Sequence, residues 1–388
     1  MFRIRTMNKI SPLGLDLFPR DNYEVASDIP NPDAILVRSA DLHAVEIPPT
    51  VLAIGRAGAG VNNIPVAACS DKGIVVFNTP GGNANAVKEL ALAAMLLSSR
   101  NIYGGINWCQ TIAPKADEVP DIVEKEKSKF EGPELKGKVL GIVGLGAIGA
   151  MLANDAIALG MKVIGYDPFI SVEGAWSLSS TVIKAESLEG LLAKADYISL
   201  HIPQNDKTKG LINAEKIRLM KKNARIINLA RGALVNEADI ITALKSDQLA
   251  SYATDFPSAE LLACPKVICI PHLGASTPEA EDNCAIMAVR QLMEFLEDGN
   301  IHNSVNLPRC RLDKMAPHRL IVMNRNIPNM VGQITTILAG VNVNITDLIN
   351  HHRDDYAYNI IDTEQVIPDE TLNQIKQVEG IIRVRSIS

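Results

Sequence analysis

The sequence predicts an α/β protein with a doubly wound parallel sheet in its middle, a second α/β region before it and a small βαββαβ region after it. Three observations lead to this expectation. Between residues 138 and 272, six apolar runs of strand length alternate with helix-like segments. Three similar runs precede residue 80, and the order of strands and helices changes after residue 316.

Composition limits the function classes before any motif is considered. At 388 residues the chain predicts two or three domains, and a hydrophobic content of 47% suits sizeable cores. A formal net charge of −6 argues against nucleic acid or an anionic membrane as a partner. The start lacks a signal-peptide core, and the longest markedly apolar run, 90–97, is too short to span a bilayer. Six scattered cysteines without zinc-binding spacing predict reduced thiols, no metal site and a cytoplasmic location.

The first α/β region has three apolar runs, each ending in polar or glycine residues. The run 33–37 stops at Arg38, the next stops at the glycine-rich stretch 55–60, and the third stops at Asn78. A helix over about 85–100 leaves this region. Successive N–H groups of the glycine-rich stretch suit a carboxylate, and a plain glycine turn is the alternative.

A glycine motif opens the middle region. Gly144, Gly146 and Gly149 follow the apolar run 139–143 and begin a helix-like segment, and Asp167 lies 18 residues after the last glycine. Such glycines allow a tight turn, close approach of backbone to a pyrophosphate, and helix–strand packing, while the acid accepts from a ribose hydroxyl. The motif therefore predicts a Rossmann-type, dinucleotide-binding domain. Its strands are expected at 138–143, 161–166, 196–201, 224–229, 249–254 and 266–271, after a polar, proline-containing connection over 111–137.

Ligands of such sheets gather beyond the carboxyl ends of the strands, so the residues that stop the later runs are functional candidates. His272 suits a base that accepts a hydroxyl proton, and Arg231 suits a carboxylate anchor. Glu260, or less plausibly Glu281, suits a partner that orients the imidazole. The structural alternatives are a helix-capping histidine, a surface ion-pair arginine and a solvated glutamate.

The last part begins with a long helix from Thr277-Pro278-Glu279 to about residue 298. A polar link over 299–316 follows, and residues 317–388 have the ferredoxin-like order βαββαβ. His351 and His352 are expected as solvated turn histidines between two of these strands.

Two longer motifs carry a resemblance to a known family. Asn228-Leu-Ala-Arg-Gly-Ala-Leu-Val and Pro271-His-Leu-Gly-Ala-Ser-Thr resemble signatures of the D-isomer-specific 2-hydroxyacid dehydrogenases. Residues 55–63 and 78–83 resemble the branch of that family that acts on 3-phosphoglycerate. The similarity runs over about 33–307. It implies a flavodoxin-like substrate domain of residues 1–98 and 285–312, interrupted by an NAD-binding domain of residues 99–284.

The resemblance also assigns roles to single residues. Arg231, Glu260 and His272 match the catalytic trio, although Leu261 stands where the family usually has proline and Phe256-Pro257 replaces a hydrophobic pair. The implied cofactor residues are Thr79, Gly144, Gly146, Ala147, Ile148, Gly149, Asp167, Ile202, Pro203, Leu229, Ala230, Arg231, Asp255, His272, Leu273, Gly274 and Ala275. Asp167 favours NAD over NADP, because its charge repels a 2′-phosphate. The substrate residues expected from their positions are Arg38, Ser39, Arg56, Gly58 and Asn83.

The C-terminal region, 317–388, resembles an ACT domain, an amino-acid-sensing module. The family's serine-binding asparagines match Asn326 and Asn344. Asn324 stands where some members have a histidine, and Asn329 stands where a glycine is usual, which asparagine tolerates in the left-handed conformation. The alternative is a domain that only mediates assembly.

Together these expectations describe a cytoplasmic homodimer or homotetramer that oxidises D-3-phosphoglycerate to 3-phosphohydroxypyruvate with NAD, the entry step of serine synthesis, with serine as effector. One alternative keeps the chemistry and changes the substrate, as in hydroxypyruvate or glyoxylate reduction. Another is an NAD-sensing scaffold like the transcriptional corepressors on this fold.

Overall fold

The computed structural model describes residues 1–387, with the side chains of all of them except Ala116 and Glu173. These residues form two compact units. One consists of residues 1–83 together with the chain from Pro278 onward, and the other of residues 84–277. The C-terminal sheet thus falls in the same unit as the first region, and the expected three-domain division stays a prediction. No helix in the described part of the chain combines the length and apolar character needed to cross a membrane.

The first region forms a five-stranded parallel sheet in the order β2-β1-β3-β4-β5, which is the flavodoxin-like order. All four residues of β3 are buried, as expected of a central parallel strand covered on both faces. The elements are β1 Phe2–Met7, α1 Pro12–Leu15, β2 Tyr23–Ala26, β3 Ala34–Val37, β4 Ala53–Arg56, α2 Val66–Asp71 and β5 Val75–Phe77.

The second unit contains a seven-stranded parallel sheet in the order β12-β11-β10-β9-β6-β7-β8. Chain order reverses between β6 and β9, and this confirms the doubly wound, Rossmann-type fold. The elements are α3 Ala84–Ser99, α4 Ile102–Ile112, α5 Val119–Glu126, β6 Val139–Val143, α6 Ala147–Ala158, β7 Lys162–Tyr166, α7 Val172–Trp176, β8 Ile183–Lys184, α8 Leu188–Leu192, β9 Tyr197–Leu200, α9 Ala214–Arg218, β10 Ala224–Asn228, α10 Glu237–Lys245, β11 Leu249–Thr254, α11 Ala259–Leu262 and β12 Val267–Cys269. The two-residue edge strand β8 is exposed, so no apolar run predicted it.

The connection expected over 111–137 is mostly helical, which the sequence analysis did not predict. Helices α4 and α5 and the 3-10 turns Ala113–Glu118 and Lys127–Phe130 occupy most of it. Pro120 does not interrupt α5 because it lies in the first turn, where its missing N–H would have had no partner. The rings of Trp108 and Phe130 pack with centroids 5.3 Å apart.

The first unit is completed by a long helix and a four-stranded antiparallel sheet. The order β14-β15-β13-β16 confirms the ferredoxin-like plan. The elements are α12 Pro278–Asp298, β13 His318–Arg325, α13 Met330–Gly340, β14 Ile345–Arg353, β15 Tyr356–Thr363, α14 Asp369–Lys376 and β16 Ile381–Ile387. His351 and His352 lie within β14 rather than in a turn, because the chain reverses only at Asp354, where φ is +52°.

Both faces of β13 and β15, the central strands of the C-terminal sheet, are buried. Leu320 and Val322 pack with helices α13 and α14, whereas Ile321 and Met323, on the opposite face, belong to the core built by α12 and the first sheet. At the end of α12, Gly299 has a φ of +72°, and a Cβ there would lie 2.4 Å from the side chain of Ile321. The small C-terminal module therefore shares a hydrophobic core with the first region.

A buried ion pair within the C-terminal sheet also contacts the end of α12. The guanidinium of Arg319 contacts the carboxylate of Asp362 through two hydrogen bonds of 2.6 and 2.8 Å, and both side chains are fully buried. Arg319 also donates to the carbonyl oxygen of Asp298 at 2.8 Å. Arg385 donates to the carbonyls of Phe295 and Leu296. The last carbonyls of α12 thereby gain cationic partners, which suits the negative end of a helix.

Candidate active site

The glycine loop after β6 has the backbone that a dinucleotide requires. Gly144 has a φ of +94°, and a Cβ there would lie 2.5 Å from the carbonyl oxygen of His201. A Cβ on Gly149 would lie 2.0 Å from the carbonyl oxygen of Gly144, whereas one on Gly146 would meet nothing within 4 Å. The first and last glycines are therefore needed for the turn and for packing. The open space at Gly146 is where a pyrophosphate would approach the N-terminus of α6.

Asp167 lies at the end of β7 and is fixed beside this loop. Its carboxylate accepts the N–H of Leu145 at 2.8 Å and that of Phe169 at 2.9 Å. The acid thus fastens the glycine loop to the neighbouring strand end, and its oxygens retain lone pairs for the hydroxyl groups of a ribose. Asp167, which the sequence places 18 residues after Gly149, therefore lies next to the glycine loop in space.

His201 ends β9, next to the glycine loop and before Ile202 and Pro203. Its Nε2 lies 2.8 Å from the Oγ of Ser199. Burial lowers the pKa of its imidazole from 6.5 to about 4, so the ring is neutral at physiological pH. The sequence pointed to His201 only as a strand-end residue.

The turn after β10 is held by Asn228, a fully buried residue to which the sequence analysis gave no role. Its Nδ2 donates to the carbonyl of Arg231 at 2.9 Å and to the hydroxyl of Tyr252 at 3.2 Å, and its Oδ1 accepts the N–H of Ala230. The Arg231 side chain is exposed and donates to the carbonyl of Ala230 at 2.6 Å. Leu229 is buried in the turn. A single side-chain amide thus sets the backbone from which the guanidinium projects.

His272 lies in a turn built on the carboxylate of Asp255. Asp255 is 1% exposed, and its two oxygens accept the N–H groups of Leu273 and Gly274 at 2.8 and 2.9 Å. His272 itself has a φ of +53°, a conformation uncommon for residues other than glycine. Its exposed ring packs against Phe256 with centroids 5.1 Å apart. Two charge-assisted hydrogen bonds therefore hold the strained backbone that carries this imidazole.

Glu260 lies in the first turn of the short helix α11, which Ser258 caps by accepting the N–H of Leu261 at 3.2 Å. Its side chain is exposed. Among the interactions of the described residues, no hydrogen bond or ion pair joins Glu260 to His272. The pairing of these two side chains stays a prediction.

The expected substrate residues lie in the first unit. Arg38, after β3, pairs with Glu281 of α12 at 2.5 Å, so this glutamate already has a cationic partner. The guanidinium of Arg56, the last residue of β4, lies over Gly58, where a Cβ would be 1.8 Å from one of its nitrogens. Gly58 has a φ of +150°, and its N–H donates to the carbonyl of Arg56 at 2.9 Å. Because the N–H of Gly58 already has a partner, a carboxylate could bind at most the later N–H groups of the glycine-rich stretch.

Ser39, Thr79 and Asn83 lie in the turns that follow β3 and β5. The N–H of Ser39 donates to the side chain of Asn8 at 3.2 Å. Thr79 is fully buried, and its Oγ1 finds no hydrogen-bond partner among the described residues. A buried hydroxyl without a partner suits a position that hydrogen-bonds to a ligand.

Asn326 and Asn344, the two asparagines predicted to bind an effector, lie at opposite ends of the C-terminal sheet. Asn326 follows β13, whose last residue pairs with the first residue of β15, and its Nδ2 donates to the carbonyl of Asp354 at 3.2 Å. Asn344 precedes β14, whose first residue pairs with the last residue of β15. Asn324 is buried and accepts a hydrogen bond from Asn359 at 2.7 Å. Asn329 adopts the left-handed conformation expected of it, with a φ of +66°. One chain therefore does not bring Asn326 and Asn344 to one ligand.

Residues 92–274 match the family model described as D-isomer specific 2-hydroxyacid dehydrogenase, NAD binding domain. Named relatives are similar over a longer part of the chain. A D-3-phosphoglycerate dehydrogenase of Synechocystis is 35% identical over 354 residues, which cover 86% of this chain and 61% of the relative. One of Methanocaldococcus jannaschii is 36% identical over 338 residues, covering 84% and 61%. The chain thus spans about three fifths of the length of these curated relatives.

Solved structures share the fold. An NAD+-bound 3-phosphoglycerate dehydrogenase of Entamoeba histolytica is 27% identical with a TM-score of 0.62, and the match covers 79% of this chain and 98% of that one. A glyoxylate reductase of Paecilomyes thermophila is 25% identical with a TM-score of 0.65, covering 78% and 98%. The same architecture therefore serves more than one 2-hydroxyacid substrate.

Proposed function

Since residues 92–274 match the model of the NAD-binding domain of the D-isomer-specific 2-hydroxyacid dehydrogenases, we propose that the protein oxidises D-3-phosphoglycerate to 3-phosphohydroxypyruvate with NAD. The observation that carries the proposal is the His272 turn, held on the buried carboxylate of Asp255 in the unit that also holds the glycine loop. A titratable imidazole at a strand end of a doubly wound sheet suits a general base. The relatives named for this activity supply the substrate.

NAD fits the residues present. The N-terminus of α6, with Gly146, Ala147 and Ile148, would receive its phosphates, and Asp167 its ribose hydroxyls. Residues 202–203 and 229–230, which follow β9 and β10, line the same strand ends. When bound, NAD supplies the acceptor for the hydrogen that leaves the alcohol carbon. The negative charge of Asp167 favours NAD over NADP.

The protein residues then handle the proton and the carboxylate. His272 accepts the hydroxyl proton of the substrate as its alcohol becomes a carbonyl. Arg231 holds the substrate carboxylate through two parallel N–H···O contacts and stabilises the developing negative charge. Glu260, once hydrogen-bonded to the imidazole, would orient it and stabilise its protonated form.

The remaining substrate contacts are proposed for the first unit. Arg38, Arg56 and the N–H groups after Gly58 are cationic or donor groups that suit a phosphate or carboxylate. Arg38 would exchange Glu281 for the substrate anion. Ser39 and Asn83 would complete these contacts.

The regulatory part of the proposal concerns serine, assembly and location. Asn326 and Asn344 lie at opposite ends of their sheet, so both would contact one serine only if they came from two chains. We place the enzyme in the cytoplasm as a homodimer or homotetramer.

One assay separates the candidate functions. Purified protein with D-3-phosphoglycerate and NAD should form NADH, and serine should slow the reaction. His272→Ala should abolish turnover while NAD binding, measured by calorimetry, survives. His43→Ala, which changes another exposed histidine, serves as the control and should leave turnover unchanged.

Other outcomes favour other functions. Near-normal turnover of His272→Ala would remove the histidine from the mechanism. Glyoxylate or hydroxypyruvate reduction without oxidation of 3-phosphoglycerate would favour the glyoxylate reductase alternative, to which one solved neighbour belongs. NAD binding without activity on any of these substrates would favour an NAD-sensing scaffold.

A further inference from the structure

Two adjoining cavities lie in the first unit, and their lining does not include the residues assigned above to the substrate. One has a volume of about 470 Å³ and is lined by α12 and by Gly81 and Gly82. The other, of about 450 Å³, is lined by residues 302–304 and 307–309, by the end of β14 and by residues 78 and 80. His302 and Asn303 line both, and the pair of cavities is called the His302 groove here.

The groove is strongly cationic in a chain whose formal net charge is −6. The side chains with positive or protonatable groups that line it are Arg290, His302, Arg309, His352 and Arg353. Among the described residues lining it, Glu294 carries the one carboxylate, which lies 3.0 and 3.1 Å from the Nε2 of His302. Because Glu294 contacts His302, the groove offers no second carboxylate to its three guanidinium groups. The groove therefore carries an excess of positive charge.

The backbone around the groove is held in place. Val305 and Val76 are joined by a backbone hydrogen bond of 2.9 Å, and the side chain of Asn306 accepts the N–H of Val76 at 2.9 Å. Arg353 donates to the carbonyl of Ser304 at 2.9 Å, which fastens the end of β14 to the same loop. A cationic site on such a fixed frame loses little conformational entropy when a ligand binds.

We infer that the His302 groove binds a small anion that carries a phosphate group. Guanidinium groups match the oxygens of phosphate with paired N–H donors. Arg290 lines one cavity of the groove, and Arg309 and Arg353 line the other, and cavities of about 470 and 450 Å³ suit a compact anion better than a polymer. Inorganic phosphate and small phosphate monoesters share this chemistry. The inference rests on the groove itself and does not depend on the proposed reaction.

The groove also borders the turn that supports the glycine-rich loop of the first sheet. The side chain of Asn78 donates to the carbonyl of Ala59 at 2.7 Å, and the N–H of Thr79 donates to the carbonyl of Gly58 at 3.0 Å. Gln291, which lines the groove, donates to the carbonyl of Asn78 at 3.0 Å. An anion in the groove therefore contacts the frame of the proposed substrate loop. If the proposed function holds, phosphate in the groove should change the KM for 3-phosphoglycerate more than kcat.

The test is calorimetric titration of the full chain with inorganic phosphate and, separately, with glycerol 3-phosphate, which lacks a carboxylate. Arg290→Gln and Arg309→Gln should each weaken binding about tenfold or more, since each removes a charge-assisted contact. Neither guanidinium forms a hydrogen bond or ion pair within the described residues, so the fold should survive. Arg311→Gln is the matched control, because Arg311 is an exposed arginine that pairs with Asp313 outside the groove.

Arg56→Gln separates this site from the proposed substrate site. Phosphate binding to the groove should persist in that variant whether or not the enzyme oxidises 3-phosphoglycerate. The inference is overturned if Arg290→Gln and Arg309→Gln bind both probes as wild type does, or if Arg56→Gln alone abolishes binding. Preference for glycerol 3-phosphate over inorganic phosphate would identify a monoester as the ligand, and the reverse preference would identify free phosphate.

Discussion

Replacing Asp255 by asparagine tests whether the buried carboxylate acts by positioning His272. The carboxylate accepts two backbone N–H groups at 2.8 and 2.9 Å. Asparagine keeps one acceptor oxygen and turns an NH2 group toward the second N–H, so one charge-assisted bond is lost. A bond of this kind contributes about 1.5–3 kcal/mol. A loss of about 2 kcal/mol in holding the turn corresponds to about a thirtyfold fall in kcat.

The assay is the steady-state rate of NADH formation at saturating NAD and 3-phosphoglycerate, with thermal unfolding as a check on the fold. A role limited to cofactor binding would raise the KM for NAD and leave the saturated kcat unchanged. Asp206→Asn, in an exposed loop, is the control. In the double variant with His272→Ala, the Asp255 substitution should cost nothing further, because both act through one imidazole. A kcat within twofold of wild type in Asp255→Asn would refute the positioning role.

Two further predictions concern buried groups. Because burial lowers the pKa of His201 from 6.5 to about 4, the unfolded chain binds a proton between these pH values that the folded chain does not bind. The free energy of unfolding should therefore fall by up to about 3 kcal/mol as the pH falls from 6.5 to 4. His201→Gln should remove this part of the pH dependence in urea titrations. Asp362→Asn leaves the buried charge of Arg319 unpaired and should destabilise the fold by about 3–5 kcal/mol in chemical denaturation. Glu126→Gln, which breaks the solvent-exposed pair with Lys129, is the control and should change the free energy of unfolding far less; equal effects of the two substitutions would contradict the prediction.

Local sequence signals predicted the parts of the fold that depend on neighbouring residues. Gly144 and Gly149 each have a separate steric reason in the structure, Gly146 leaves open space at the loop, and Asp167 contacts the loop that they form. The C-terminal strand order followed from the alternation of short apolar runs and helices. These features are set by backbone sterics and by hydrophobic periodicity, which a sequence displays directly.

Features that depend on distant contacts were not predicted. Nothing in the local pattern of residues 111–130 distinguishes a solvated connection from short helices held by the packing of Trp108 on Phe130. The role of Asn228 was missed because its partners include Tyr252, which lies on the next strand. The sequence does not show how far apart Asn326 and Asn344 lie in the fold. The strand register places them beside opposite ends of β15.

The core shared by the C-terminal sheet and α12 bears on how this chain can be cut. A fragment that stops before His318 would uncover the apolar side chains that Ile321 and Met323 now cover, together with the carbonyls that Arg319 and Arg385 satisfy. Such a fragment would expose an apolar surface and should aggregate, even though it would retain both parallel sheets. Because of this shared core, the C-terminal sheet with its helices could not be exchanged as an independent domain. Any replacement would have to reproduce a face that fits α12.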